Sequence, residues 1–402
     1  MSINIQSKIF HAPTEGMASA RRTSLGKKIK KAKDRTYPVF ASVPPGFSNA
    51  AFQEAKSKLL SVKNLHITKG GISFNADFEN LIKSNLLLGI PSKILLRLGK
   101  FRVFNFTDLE NEIEKIPFEL FIFRNSVIKI SASSRKSKLI HTGAVEEAVL
   151  KGVKQRLEQN CALDFPGHTQ ALIKIRISRD NAVVSMDSSG ESLHKRGLKK
   201  LSCDAPIREN LAFAGLFSSG YTGDCLFFDP MCGSGTFSGE AFLIASNTPP
   251  GIFRSFAFEN WPIYDQSLHN KIIEKEKSKI IKVKNKIFTS DSDCKNVLTA
   301  RKNLLKTGTE NISFFCSDFF DLKKQAGPGT IAINPPYGIR IEKEKKLLKK
   351  IRLKLINDFY GFNLILTIPK SFQDNYFSAR NFDLIPFVHG GIEMNLLTGK
   401  IK

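Results

Sequence analysis

The stretch from Phe227 to Phe237, reading Phe-Phe-Asp-Pro-Met-Cys-Gly-Ser-Gly-Thr-Phe, restricts the fold of this chain more than any other. Residues 224–228 read as a buried strand. Pro230 ends the ladder because it has no N–H to give. Gly233 and Gly235 let the backbone turn sharply and approach a ligand without a Cβ in the way. Thr236, Phe237, Ala241, Phe242 and Ile244 then recur at helical spacing. A strand, a glycine turn and a helix start predict an α/β fold with a nucleotide-type ligand at the carboxyl ends of its strands. An ordinary tight turn is the plainer reading of a lone G-x-G. A dinucleotide site wants G-x-G-x-x-G and an acid about 20 residues on. Here the sixth position is Ser238, and the best second-strand acid, Asp291, comes much later.

Downstream, Ile331-Ala332-Ile333 is a second apolar strand, and it runs into Asn334-Pro335-Pro336-Tyr337-Gly338. Two prolines forbid helix or central ladder there. They hold Asn334 and Tyr337 at the strand's carboxyl end, the same end as the glycine loop if the strands are parallel. The pair D-P-M-C-G-S-G-T and N-P-P-Y-G resembles the class I S-adenosylmethionine-dependent methyltransferases that modify an exocyclic amino group of a base. The resemblance implies that S-adenosylmethionine is held by Asp229, Pro230, Met231, Cys232, Gly233, Ser234, Gly235 and Thr236. It implies that Asn334, Pro335, Pro336 and Tyr337 carry the chemistry.

That chemistry follows from the corner. An exocyclic amine is a poor nucleophile because its lone pair is delocalised into the ring. The Asn334 amide oxygen and the Pro335 carbonyl can accept its two N–H bonds and favour a pyramidal nitrogen. Tyr337 is expected to stack on the base and fix the line of attack. No strong general base is needed, because the amine becomes acidic once methylated. A paired base must first be extruded, at a few kcal/mol.

Two further strands complete the expected cofactor pocket. Ile287-Phe288-Thr289 ends in Ser290-Asp291-Ser292-Asp293. A carboxylate there can accept both ribose hydroxyls, and Asp291 with Ser292 is preferred to Asp293, which suits the N-cap of the next helix. Ile312 to Cys316 is the next strand, and Asp318 after it resembles the acid that accepts from the cofactor's adenine amino group; a helix cap is its alternative. The run Ile339-Arg340-Ile341 departs from the family's usual acid–Arg–Leu-like continuation, and the following helix looks shorter than in relatives. A fifth strand is expected at 362–367, and a terminal hairpin of 382–388 and 392–397 is expected to close the sheet antiparallel. Gly251 to Trp261 resembles another stretch of the family, with core packing the plainer role for its aromatics.

A chain of 402 residues with net charge +24 calls for an anionic partner, nucleic acid before a merely lysine-rich surface. Residues 1–36 hold nine Lys/Arg against Glu15 and Asp34 and read as a basic disordered tail; an RNA-touching arm or a transit peptide would also fit. The six cysteines form no C-x-x-C pair, which predicts neither a zinc nor a disulfide framework and fits a reducing, cytoplasmic setting. No metal site and no membrane span are expected.

The N-terminal half reads as a β-α-β-β piece over 37–80 and an α+β segment over 81–190. Thr107 and Glu110 suggest a capping box, Val127–Ile130 a strand, Ser133–Lys138 a basic loop, and 171–177 with 183–186 a hairpin. This segment is similar to a THUMP domain with its preceding ferredoxin-like piece, which implies RNA binding. Arg135, Lys136 and Lys138 suit phosphates, while Ser134 and Thr142 can donate to 2′-hydroxyls or phosphate oxygens. A solvated turn is the alternative. His141 reads as a core histidine. Arg196, in a linker and helix over 191–219 with Pro206 in the helix's first turn, is grouped with the RNA-binding set.

The fold class expected is α/β: a ferredoxin-like plus THUMP α+β region, then a Rossmann-like class I methyltransferase over 220–402 with a seven-stranded mixed sheet. The function implied is methyl transfer from S-adenosylmethionine to guanine N2 in 23S-type rRNA, as in the THUMP-containing guanine-N2 enzymes. Guanine-N2 methylation of tRNA, adenine-N6 methylation of DNA and a non-catalytic RNA-binding assembly factor are the alternatives.

Overall fold

The protein, here a computed structural model, is described over residues 24–402 apart from 161–162, 166, 168, 199–200, 202, 204–205, 306–310, 324–327, 338–340 and 373–381. The departure at Ile339 and Arg340 and most of the basic tail lie outside the described residues. The first half runs α1 (Ser24–Lys33), β1 (Tyr37–Ser42), α2 (Ser48–Lys58), β2 (Lys63–Thr68), β3 (Gly71–Ala76), α3 (Phe78–Leu87), β4 (Lys93–Arg102), α4 (Phe106–Glu114), β5 (Val127–Arg135), α5 (Thr142–Gln159), β6 (Gln170–Ser178) and β7 (Asn181–Asp187). Its seven strands form one sheet in the order β2-β3-β1-β4-β7-β6-β5, with only β5 and β6 parallel. The boundary expected at residue 80 therefore falls inside a continuous sheet, where Phe40 of β1 faces Leu95 of β4. Alternate residues such as Val39, Ala41, Ile94, Leu96, Ile173, Ile175 and Val184 are buried with Ala51, Leu81, Leu109 and Val149 of the helices.

The second half runs α6 (Glu209–Ser218), β8 (Leu226–Asp229), α7 (Thr236–Ala245), α8 (Gln266–Lys277), β9 (Ile287–Asp291), α9 (Cys294–Leu304), β10 (Ile312–Cys316), β11 (Gly329–Ile333), α10 (Ile341–Asp358), β12 (Asn363–Pro369), β13 (Asp383–His389) and β14 (Ile392–Lys400). The sheet order is β10-β9-β8-β11-β12-β14-β13. The first five strands are parallel and β14 is antiparallel to both its neighbours, which is the seven-stranded mixed sheet expected. Parallel pairing brings the carboxyl ends of β8, β9, β10 and β11 to one edge. Among the described residues no helix is long and apolar enough to cross a membrane.

Several local expectations are corrected. Residues 24–33 of the tail form α1, because Leu25 and Ala32 are buried and Lys28 and Lys33 reach Glu119 (3.4 Å) and Asp265 (2.8 Å). The cap of α4 is Asn105, whose side chain accepts from the Asp108 N–H at 2.8 Å, not Thr107. Pro206 stands before α6, which starts at Glu209. Ser133–Arg135 belong to β5 rather than to a loop. Cys294 and Cys316 are joined by a disulfide rather than left as thiols, because the start of α9 and the end of β10 lie together, with Cα atoms 5.1 Å apart.

One hydrophobic cluster runs through both halves, from Phe74 and Val184 to Phe213, Phe237 and Trp261. At its edge Arg196 is 3% exposed. Its Nε donates to Glu240 Oε1 (3.1 Å) and its Nη2 to Glu240 Oε2 (3.2 Å) and to the Gly89 carbonyl (2.7 Å). The Gly89 and Ile90 N–H groups donate in turn to buried Glu54 at 2.7 and 3.1 Å. A Cβ on Gly89 would stand 2.6 Å from the Phe213 ring, so only glycine lets this loop pass α6. Removing one partner from such a buried pair strands the other. Arg196→Met should therefore lower the unfolding free energy by about 3–5 kcal/mol, read by chemical denaturation, and Arg196→Met with Glu240→Met should recover most of it.

Candidate active site

β8 is buried from Phe227 to Asp229 and feeds the glycine loop. Gly233 and Gly235 have φ of +50° and +80°, the left-handed region that glycine tolerates. A Cβ on Gly235 would come within 2.9 Å of Ala300 Cβ, so α9 can pack here only against glycine. Around Gly233 a Cβ would meet nothing within 4 Å, which leaves open space beside the loop backbone. The turn is closed by the Gly235 N–H on the Cys232 carbonyl (2.7 Å) and the Cys232 N–H on the Ser290 carbonyl (2.9 Å).

Asp229 lies beneath this loop and is 1% exposed. Its Oδ2 accepts from the Ser238 N–H (3.0 Å) and from Ser238 Oγ (2.7 Å), and Ser238 Oγ accepts from Thr289 Oγ1 (2.8 Å). The carboxylate turns into α7 and positions the loop. Burial pushes its carboxyl up to about 7, opposed by the Ser238 hydrogen bonds and assisted by the Asp291 charge.

Asp291, at the end of β9, accepts from the Gly233 N–H (2.9 Å) through Oδ2. Its Oδ1 accepts from the Asp293 N–H (3.0 Å) and Asn296 Nδ2 (3.2 Å). It thus ties the loop to the start of α9 and remains half-buried, while Ser292 is exposed. Asp293 is the cap of α9, accepting from the Lys295 N–H at 2.9 Å. Asp318 caps the short turn Phe319–Asp321 by accepting from the Phe320 N–H (2.9 Å), and it is exposed. Ser234 and Ser290 each bury a hydroxyl oxygen with no hydrogen-bond partner among the described residues. Unpaired hydroxyls beside an open glycine backbone and flanking carboxylates suit a polar nucleoside ligand.

β11 pairs parallel with β8, so the corner at 334–337 stands beside the loop. Thr367, fully buried on β12, donates to Asn334 Oδ1 at 2.7 Å. The Tyr337 hydroxyl lies 2.9 Å from Thr367 Oγ1. Since the Thr367 proton is committed to an acceptor-only oxygen, Tyr337 must be the donor. The chain Tyr337 to Thr367 to Asn334 fixes the amide so that Oδ1 keeps a second lone pair for another N–H. Burial holds the Tyr337 phenol well above its ordinary range, with Thr367 pulling the other way, so it stays a donor. Pro335 is buried and Pro336 exposed. Thr367 carries no sequence signal beyond membership of an apolar strand.

Arg135, Lys136, Lys138 and Thr142 are exposed at the end of β5 and the start of α5. Lys136 has φ of +52°, and Ser137 Oγ donates to the Arg135 carbonyl at 3.1 Å. Ser134 buries its hydroxyl with no hydrogen-bond partner among the described residues. His141 is exposed rather than in the core. Arg196 does not belong with this set: its guanidinium is enclosed by Glu240, Gly89 and Leu193, and reaching a phosphate would break that pair.

Residues 196–359 match the UPF0020 family model, described as an RMKL-like methyltransferase domain. YpsC of Bacillus subtilis, a candidate RNA methyltransferase by name, is 30% identical over 352 residues, covering 85% of this chain and 90% of YpsC. The chain belongs to this RMKL-like methyltransferase family. The candidate RNA methyltransferase slr0064 of Synechocystis sp. is similar at 28% identity over 372 residues, 90% of this chain and 96% of that one. A crystal structure of SMU.472, a candidate methyltransferase bound to SAH, superposes with TM-score 0.82 at 26% identity, covering 92% of this chain and 99% of that one. The family is one of S-adenosylmethionine-dependent methyltransferases, and this chain is one of its enzymes.

Two outcomes follow from the geometry. Thr367→Val keeps the side-chain shape but leaves Asn334 unoriented; turnover should fall about ten- to a hundred-fold, with the cofactor dissociation constant by calorimetry unchanged. Asp229 binds its proton more tightly folded, about 7, than unfolded, about 3.9, so its contribution to stability is lost as pH rises from about 4 through 7. Asp229→Asn should flatten that part of the stability–pH profile. Glu240 and Glu259, also pushed up to about 7 by burial, titrate in both proteins and cancel in the comparison.

Proposed function

We propose that this chain transfers a methyl group from S-adenosylmethionine to the exocyclic N2 of a guanine in large-subunit, 23S-type rRNA. The observation that carries the reading is Asn334 Oδ1, fixed by Thr367 beside the glycine loop. RNA as substrate is supported by the names of YpsC and slr0064. The THUMP resemblance of 81–190 favours it over DNA. Arg135, Lys136, Lys138, Thr142 and Ser134 are the proposed phosphate and 2′-hydroxyl contacts, and the enzyme is proposed to be cytoplasmic.

Bound there, the cofactor supplies a methyl group on a positively charged sulfur. The backbone of 230–236 would hold its amino-acid end, Asp291 with Ser292 its ribose, and Asp318 its adenine amino group. Asn334 Oδ1 and the Pro335 carbonyl accept the two N–H bonds of the target amine, which draws its lone pair out of the ring. Tyr337, its hydroxyl anchored inward on Thr367, offers its ring to the base. As the new N–C bond forms, the methyl–sulfur bond would break and leave a neutral thioether; the amine, now positively charged and acidic, gives its proton to water. The chain's work is positioning, which is worth several kcal/mol when reacting atoms are held in line.

The deciding measurement is nucleoside mass spectrometry of rRNA from cells with and without this gene. Loss of one N2-methylguanosine is the expected result; unchanged rRNA with a changed tRNA or DNA nucleoside would reassign the substrate. Asn334→Ala should abolish the mark while sparing cofactor binding.

A further inference from the structure

On the second face of the first sheet Leu95, Ser185 and Asp187 are buried, but Lys100, Arg102, Ser131, Ser133, Arg135 and Arg176 are exposed, and the charge pattern is one-sided. Residues directly opposite in a sheet share a face. Lys100 of β4 faces Val183, and Val183 faces Arg176 of β6, which faces Ser133. One row on, Arg97 faces Ser185, Ser185 faces Lys174, and Lys174 faces Ser131. In the third row Arg102 faces Asn181, Asn181 faces Ser178, and Ser178 faces Arg135. Each cation in these rows stands directly opposite a small or neutral residue, and among the described residues Lys174 alone of them has an acid of this face at ion-pair distance, 3.9 Å away on the diagonal.

A sheet face that merely meets water gains by opposing unlike charges across strands, and like charges on it repel. Here the acid on this face is Asp187, nearly fully buried and engaged by Lys93 (2.8 Å) and more distantly by Lys174 (3.9 Å). The Arg97 guanidinium lies 4.8 Å above the Phe40 ring; burial, then the charge of Arg176, holds it below its ordinary range. Lys100, Arg102, Arg135 and Arg176 are exposed. At the sheet's end Phe104, 43% exposed, lies under both Arg102 (5.5 Å) and Lys138 (5.0 Å), so the face is continuous with the turn at 135–138. Successive cations on β6 are two residues apart, about 6.6–6.8 Å, comparable to the step between phosphates along an RNA strand.

We propose that this open face binds the sugar–phosphate backbone of the substrate RNA without reading its sequence, so that it presents rather than selects the target. The inference rests on the RNA reading above. Its neutral partners, Ser131, Ser133, Ser178 and Asn181, can hydrogen-bond sugar and phosphate oxygens but form no fork that would discriminate base edges.

The test uses the full chain and two RNA probes, an rRNA fragment and an unrelated hairpin of equal length, titrated across salt. Lys100→Gln with Arg102→Gln and Arg176→Gln should weaken both probes alike by ten-fold or more. It should also lower the slope of log K against log salt by about 2–3, at roughly 0.7–0.9 for each phosphate no longer neutralised. Melting temperature and cofactor affinity serve as folding controls. A control removing equal charge from exposed Lys271, Lys275 and Lys284 should change both far less. If the parent binds RNA and the triple variant binds it equally well, or the control weakens it as much, the face is not the docking surface. Selective loss for one probe would overturn sequence-independent binding. A triple variant that loses anionic phosphatidylserine vesicles but not RNA would assign the face to a membrane. If the parent binds neither RNA, the substrate reading itself falls.

Discussion

The buried guanidinium of Arg196 is the constraint on which the arrangement of the two halves depends. It is held on one side by the Gly89 and Leu193 carbonyls and on the other by Glu240 of α7, the helix that the glycine loop starts. Burying both charges is costly unless each is nearly saturated with hydrogen bonds. Here the guanidinium donates four hydrogen bonds, and Glu54 draws the Gly89 loop into place from behind. The first half and the helix that the glycine loop starts are thus locked through one residue.

The glycine loop is held by the same means. Asp229, Ser238 and Thr289 link β8, α7 and β9 below it, and Asp291 links it to α9 from the side. The loop's shape therefore comes from carboxylates that accept its N–H groups or those of its helix. What remains unpaired at the loop itself, among the described residues, is the Ser234 and Ser290 hydroxyls and the open side of Gly233, which is where a ligand can be recognised. Asn334 follows the same pattern. Its orientation comes from Thr367 on a neighbouring strand, so the direction of its amide depends on the register of β11 with β12.

The cofactor loop, the corner at 334–337 and the mixed sheet are legible because each is a local sequence signal: glycines where φ is positive, prolines where the ladder stops, apolar runs of strand length. Asp293 and Asp318 carry an ambiguity that spacing cannot resolve, since a carboxylate at a strand end can cap with one oxygen and bind with the other; each caps here through Oδ1. Arg196 escapes sequence reasoning because a charged residue in a linker looks solvent-exposed until its partner, far along the chain, is in place. The helix at 24–33 is hidden for a similar reason. Its lysines read as disorder until Leu25 and Ala32 find a core, and Lys28 and Lys33 find carboxylates.

The sequence by itself determined the class of fold and the form of the glycine loop and of the corner at 334–337, because those rest on backbone chemistry within a few residues. Tertiary structure alone decided that Asp229 is buried beneath the loop, that Arg196 is a strut, that Thr367 orients Asn334, and that cations from β4, β5 and β6 share one face. That last arrangement depends on strand order and register, which set Lys100 and Arg176 on either side of Val183 although they lie far apart in the chain. Hydrogen bonds and burial act over a few ångströms, and only the folded chain sets those distances.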